Sequence, residues 1–142
     1  MLCGMELEVG PFDPAVHVKS RDHYEAVRRE AQLVAMQPDA PPRRLVELVD
    51  RLRRQFPRSP TDEMAERAFM AGQPTFTVRF SIPDELVPAA LEACDEVEAL
   101  MDELDRWAGA GDLGLLAAPE DVKRYRVELL AQTRAQLRGA RR

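Results

Sequence analysis

At 142 residues and 16.0 kDa, with 45% apolar and 32% charged residues, the chain has the size of one globular domain with a single core, residues 1–142. Its formal charge of −5 argues against general nucleic-acid binding, and no window reaches the roughly 18 to 20 apolar residues that a membrane span needs. Met1-Leu2-Cys3-Gly4 lacks the charged and apolar regions of a signal peptide, so a cytoplasmic protein is expected.

Met5 to Val9 alternates apolar and acidic residues, the period of a half-buried strand, and Gly10-Pro11 is expected to end it. Pro11 to Pro14 reads as a turn. Ser20 reads as the N-cap of a helix running to about Met36, with Asp22 in its first turn and Tyr24, Val27, Ala31 and Val34 as its apolar stripe. The prolines at 38, 41 and 42 stop it. Leu45, Leu48, Val49, Leu52 and Phe56 then recur at three and four residues, one buried face of a helix over 42–56 that also carries an Arg cluster. Ser59-Pro60-Thr61-Asp62 opens a short helix ending near Gly72, with a capping Ser, a Pro at the first helical position and an acid three residues after the cap.

Phe76, Val78, Phe80 and Ile82 alternate with Thr75, Thr77, Arg79 and Ser81, the strictest strand pattern in the chain. With residues 5–9 it is expected to form a two-stranded ribbon, which must lie on the helices because an isolated ribbon is marginal in water. From Asp84 a helix is expected to about Ala108, with nine acidic and no basic residues between Asp84 and Asp105 and a seam of Val87, Leu91, Cys94, Val97, Leu100 or Met101, Leu104 and Trp107. The Gly-rich turn 109–114 ends it. Pro119-Glu120-Asp121 opens a last, basic helix with Val122, Tyr125, Leu129, Leu130, Thr133 and Leu137 facing inward. The two should pair lengthwise as an antiparallel hairpin over 84–138, held by the apolar seam more than by exposed ion pairs.

Residues that carry chemistry are sparse. There is no Asn, no Gly-rich phosphate loop, and Cys3 and Cys94 fall in contexts too different for a disulfide or a metal pair. His17 and His23, six apart, match no standard ligand spacing. The acidic run from Glu92 to Asp105 reads as a solvated or Arg-paired face rather than a cation site, which needs a shaped loop. Hence no catalytic residue, metal or cofactor is assigned. Three loop leucines, Leu113, Leu115 and Leu116, stand at the hairpin tip beside Trp107 and Arg124, a set suited to anchoring a partner.

Two stretches, Gly10 to Tyr24 (GPFDPAVHVKSRDHY) and Gly111 to Arg126 (GDLGLLAAPEDVKRYR), resemble a group of small actinobacterial helical proteins encoded beside anti-sigma-type ATP-binding kinases and their antagonists, the partner-switching systems of the stress response. The resemblance runs through most of the chain and implies an accessory of such a pathway. It does not imply the kinase, whose nucleotide site uses an Asn that this chain lacks. The chain departs from the group at Gly114 to Ala117 and Lys123 to Arg126, so no shared ligand at that loop is implied.

The expected fold is therefore α+β, mostly α: about five helices, the last two a hairpin, with a small ribbon. The leading functional expectation is a non-enzymatic interaction or regulatory protein binding a protein partner, an anti-sigma-type kinase or antagonist, through the hairpin tip. Two readings stand beside it. One is a small-ligand sensor or minor enzyme with His17, His23 and Arg79 at the mouth of a pocket between ribbon and helices; the other is a homodimer formed through the hairpins.

Overall fold

The computed structural model describes residues 4–35, 47, 54, 60–110 and 118–139, with side chains described except at 28, 31–35, 60, 104 and 107–110. Within them the chain runs β1 (Gly4–Phe12), α1 (Pro14–Ala35), α2 (Pro60–Met70), β2 (Phe76–Pro83), a 3-10 turn (Asp84–Leu86), α3 (Val87–Ala110) and α4 (Glu120–Gly139). The fold is mostly helical with one two-stranded antiparallel sheet. Four α-helices are seen among the described residues where five were expected. The expected helix over 42–56 lies outside them except at Glu47 and Arg54, both helical.

The ribbon pairs Met5 with Ile82, Leu7 with Phe80 and Val9 with Val78, so the apolar residues of both strands share one face. Leu7, Val9, Phe76 and Val78 are buried there, while Glu6, Glu8, Arg79 and Ser81 lie on the solvent face. β1 does not stop at Gly10-Pro11. The register slips between Val9 and Phe12, so Gly10 and Pro11 together face Thr77, and the strand continues through this bulge to Phe12. Only glycine fits at its first position. Gly10 has φ +136°, and a Cβ there would sit 3.1 Å from the Phe76 carbonyl oxygen and 3.2 Å from Thr77 Cα.

α1 begins at Pro14, six residues before the expected cap Ser20. Asp13 Oδ1 accepts the Ala15 N–H at 2.9 Å and Pro14 takes the first helical position, so what reads as a turn sequence is a cap followed by a helix-starting proline. Ser20 sits inside the helix. α2 ends in a Schellman motif: Gly72, at φ +69°, donates its N–H to Phe69 O at 3.1 Å, and Gln73 donates to Ala68 O at 2.9 Å.

Two clusters fill the space under the ribbon. Val9, Phe12, Ala65, Ala68, Phe76, Val78 and Tyr125 join β1, α2, β2 and α4. Leu7, Val87, Cys94 and Leu137 join β1, α3 and α4. Phe80 packs against both. Leu137, near the end of α4, meets Val87 at the start of α3, so these helices run antiparallel. Arg134 reaches from α4 to Asp95 at 2.9 Å and to Glu98. Both carboxylates are substantially exposed, so such pairs add about 0 to 1 kcal/mol each and the apolar seam holds the helices together.

Candidate functional site

The densest polar cluster lies inside the helices and was not legible as a unit. His17 on α1 is buried. Its Nε2 lies 2.6 Å from Asp62 Oδ1 at the start of α2, and its Nδ1 bonds the Tyr125 hydroxyl on α4. The Asp62 carboxylate can only accept, so Nε2 carries a proton; in the neutral imidazole Nδ1 then accepts and Tyr125 donates. Phe76 and Tyr125 meet the imidazole edge-on, with ring centroids 5.9 and 5.6 Å away, and Phe12 stands edge-on to Tyr125 at 5.2 Å. Burial, and secondarily the charge of Asp62, push the Tyr125 phenol well above its ordinary pKa, so it stays a donor.

An Asp–His–Tyr chain has the outline of a catalytic relay, and this one is closed. Both imidazole nitrogens are engaged, and the relay runs from the partly exposed Asp62 to a phenol only 7% exposed among aromatic rings. The arrangement is a tie that fixes α1, α2 and α4 against one another. A second polar contact reinforces it: the half-buried Arg126 on α4 donates from Nε to Ser20 Oγ at 3.2 Å and from Nη2 to His23 Nδ1 at 3.3 Å.

The three pocket residues expected from the sequence are not brought together. His17 is in the interior, His23 contacts Arg126 at the α1–α4 seam, and Arg79 projects from the solvent face of the ribbon to Glu8 at 3.4 Å. Of the expected partner-binding set, Leu113, Leu115 and Leu116 lie outside the described residues, as does the Trp107 side chain, and Arg124 is exposed on α4. Among the described residues no three metal-ligating side chains come together, and no helix is long and apolar enough to cross a membrane.

A surface feature lies elsewhere. An open groove of about 470 Å³ runs between the second half of α2 and the start of β2, lined by Met64, Arg67, Ala68 and Ala71 on one side and by Gln73, Thr75, Phe76 and Thr77 on the other. On the same helix, away from the groove-lining positions, Phe69 is 47% and Met70 82% exposed, two consecutive large apolar side chains. Nothing in the sequence marks these two residues, because they sit within an ordinary helical apolar pattern.

No family model matches the chain, and no curated protein or solved structure matches it either.

Proposed function

We propose that the protein is a non-enzymatic interaction protein that docks a protein partner on the groove between α2 and β2. The observation that carries this reading is an open groove with both apolar and polar walls, on a helix that also leaves two large apolar side chains, Phe69 and Met70, exposed. Exposed apolar side chains beside a concavity are what a partner anchor requires. The His17 tie supports it from the other side, since this buried relay holds three helices together. The role as accessory of a partner-switching pathway is proposed on the sequence resemblance, the cytoplasmic setting on the sequence's lack of a signal-peptide or membrane-span pattern, and the hairpin tip stays a second docking surface on its loop leucines.

The test is a tagged pull-down from a lysate of the organism that encodes the chain, run with the wild type, the Phe69→Ser/Met70→Ser variant and the Leu115→Ser/Leu116→Ser variant. The first substitution removes two exposed groups and should change stability by about 0.5 kcal/mol or less. Recovery of an anti-sigma-type kinase or antagonist, lost only with the groove variant, is the expected result. Loss only with the tip variant moves docking to the hairpin end. Retention with both overturns the groove reading, and solution mass then decides whether the homodimer takes its place.

A further inference from the structure

We infer that the outer edge of β2 takes an extended acidic segment of the partner as an added strand. This rests on the docking reading and specifies what the groove recognises. A two-stranded ribbon has two outer edges, and each presents backbone groups that could pair with another chain. The β1 edge is closed by α4: Gln136 Oε1 accepts the Glu8 N–H at 2.8 Å, Gln136 Nε2 donates to Glu8 O, and Gln132 Oε1 accepts the Gly10 N–H at 2.9 Å. The β2 edge has a different cover. Among the described residues the Arg79 N–H meets the thioether of Met64, at 3.4 Å, a weak acceptor on a flexible side chain.

The pleat extends that edge into the groove. Arg79 turns its N–H outward, so by the alternation of a strand Thr77 turns its own N–H and C=O the same way, toward the space lined by Arg67, Ala71 and Gln73. From Thr75 to Arg79 the edge measures about 13 Å, room for four or five residues of an incoming strand. A peptide carbonyl is a stronger acceptor than the Met64 sulfur and would replace it at Arg79.

The charge of the occupant follows from Arg67. It is exposed, lines the groove, and forms no ion pair among the described residues, whereas its helix neighbour Glu66 is held by Arg21 at 3.1 Å. An acidic side chain on the incoming segment would pair with it, and the alternate residues would lie against Met64 and Ala71. The fitting sequence therefore alternates acidic and apolar residues. This is strand addition, in which the backbone supplies affinity and every second side chain supplies selectivity.

The test is an NMR titration of the isotope-labelled protein with a capped six-residue peptide alternating Glu with Val or Thr, beside a counterpart with Lys in place of Glu. The expected result is a set of amide shifts confined to residues 64–79, slowed exchange at Thr77 and Arg79, and binding of the acidic peptide about tenfold tighter than the basic one. Arg67→Glu should reverse that order, and Met64→Leu should leave it standing. Equal binding of the two peptides, shifts centred elsewhere, or no shift at millimolar peptide overturns strand addition. If it fails while the Phe69→Ser/Met70→Ser variant still loses the natural partner, the docking reading survives without it; if that variant also loses nothing, both fall.

Discussion

The two edges of the ribbon face the same problem and are treated differently. Along β1, a helix of the chain itself supplies side-chain amide partners to Glu8 and Gly10 at one-turn spacing, with Glu128 in turn accepting from Gln132 Nε2 at 2.9 Å. Along β2, a shorter helix supplies one thioether and then stops, leaving a groove and two exposed apolar side chains. One edge is finished as structure, and the other is left able to pair. The contrast separates residues whose loss should unfold the protein from residues whose loss should cost only binding.

The sharpest way to break it is at the bulge on the closed edge. Gly10→Ala adds a Cβ that meets two backbone atoms of the facing strand at a φ of +136°, so the ribbon cannot yield cheaply. The expected loss is about 3 kcal/mol or more in denaturant unfolding, where a substitution at the open Gly72, whose Cβ would meet nothing, costs only its backbone strain of about 1 kcal/mol. Equal losses at the two positions would mean that the bulge is not packed as described.

His17→Ala comes next. It removes both hydrogen bonds of the relay, leaves the Tyr125 hydroxyl unpaired and opens a cavity among Phe76 and Tyr125, for an expected loss of about 3 kcal/mol. Tyr125→Phe keeps the ring and should cost about 1 kcal/mol. The tie matters to the comparison because Asp62 stands in the first turn of α2, the helix that walls the groove. Loosening it should raise amide exchange along α2 while leaving Glu8 and Gly10 protected by α4. Uniform exchange across both edges would show that the relay holds the whole molecule rather than one wall.

Direct comparison of the two covers gives a smaller effect. Gln136→Ala removes two bonds to the backbone of β1 and should cost about 1 to 2 kcal/mol, with faster exchange at Glu8. Met64→Leu removes only the weak sulfur contact at Arg79, keeps the apolar volume, and should cost under about 1 kcal/mol. If the two variants lost equal stability, the edges would be equivalent and the case for an open β2 edge would be gone.

These differences also mark what the sequence could and could not convey. The ribbon was legible because Leu7, Val9, Phe76 and Val78 alternate strictly with polar residues, and α2 was legible from Pro60 and Asp62 at its start and Gly72 at its end. Local chemistry misled where one motif has two readings: Asp13-Pro14 suits a turn as well as a capped helix start, and the nearby prolines favoured the turn. Gly10-Pro11 likewise suits a strand end as well as a bulge, and only the facing strand decides. The relay was illegible for another reason. His17 and Asp62 are 45 residues apart and His17 and Tyr125 are 108, so each member carries an ordinary local explanation and nothing periodic connects them. Gln132 and Gln136 similarly look like surface residues of a basic helix until β1 is placed beside them.

The smallest expected effect concerns the far end of the helix that closes β1. Lys19 on α1 holds Asp121, in the first turn of α4, at 3.0 Å, and the hydrogen bond from Lys19 keeps the Asp121 carboxyl below its ordinary value of 3.8. A carboxylate with a lowered folded pKa contributes stability that is fully present above its unfolded value and is lost as the pH falls through the folded one. Lys19→Met should therefore raise the Asp121 pKa toward 3.8 in an NMR titration and weaken the protein slightly at neutral pH, with the difference vanishing at strongly acidic pH. Since the Lys19–Asp121 pair is about half exposed, Glu8 and Gly10 exchange should not change. If exchange at those two amides did rise, the closure of the β1 edge would depend on how the start of α4 is anchored, and the glutamine pair alone would not account for it.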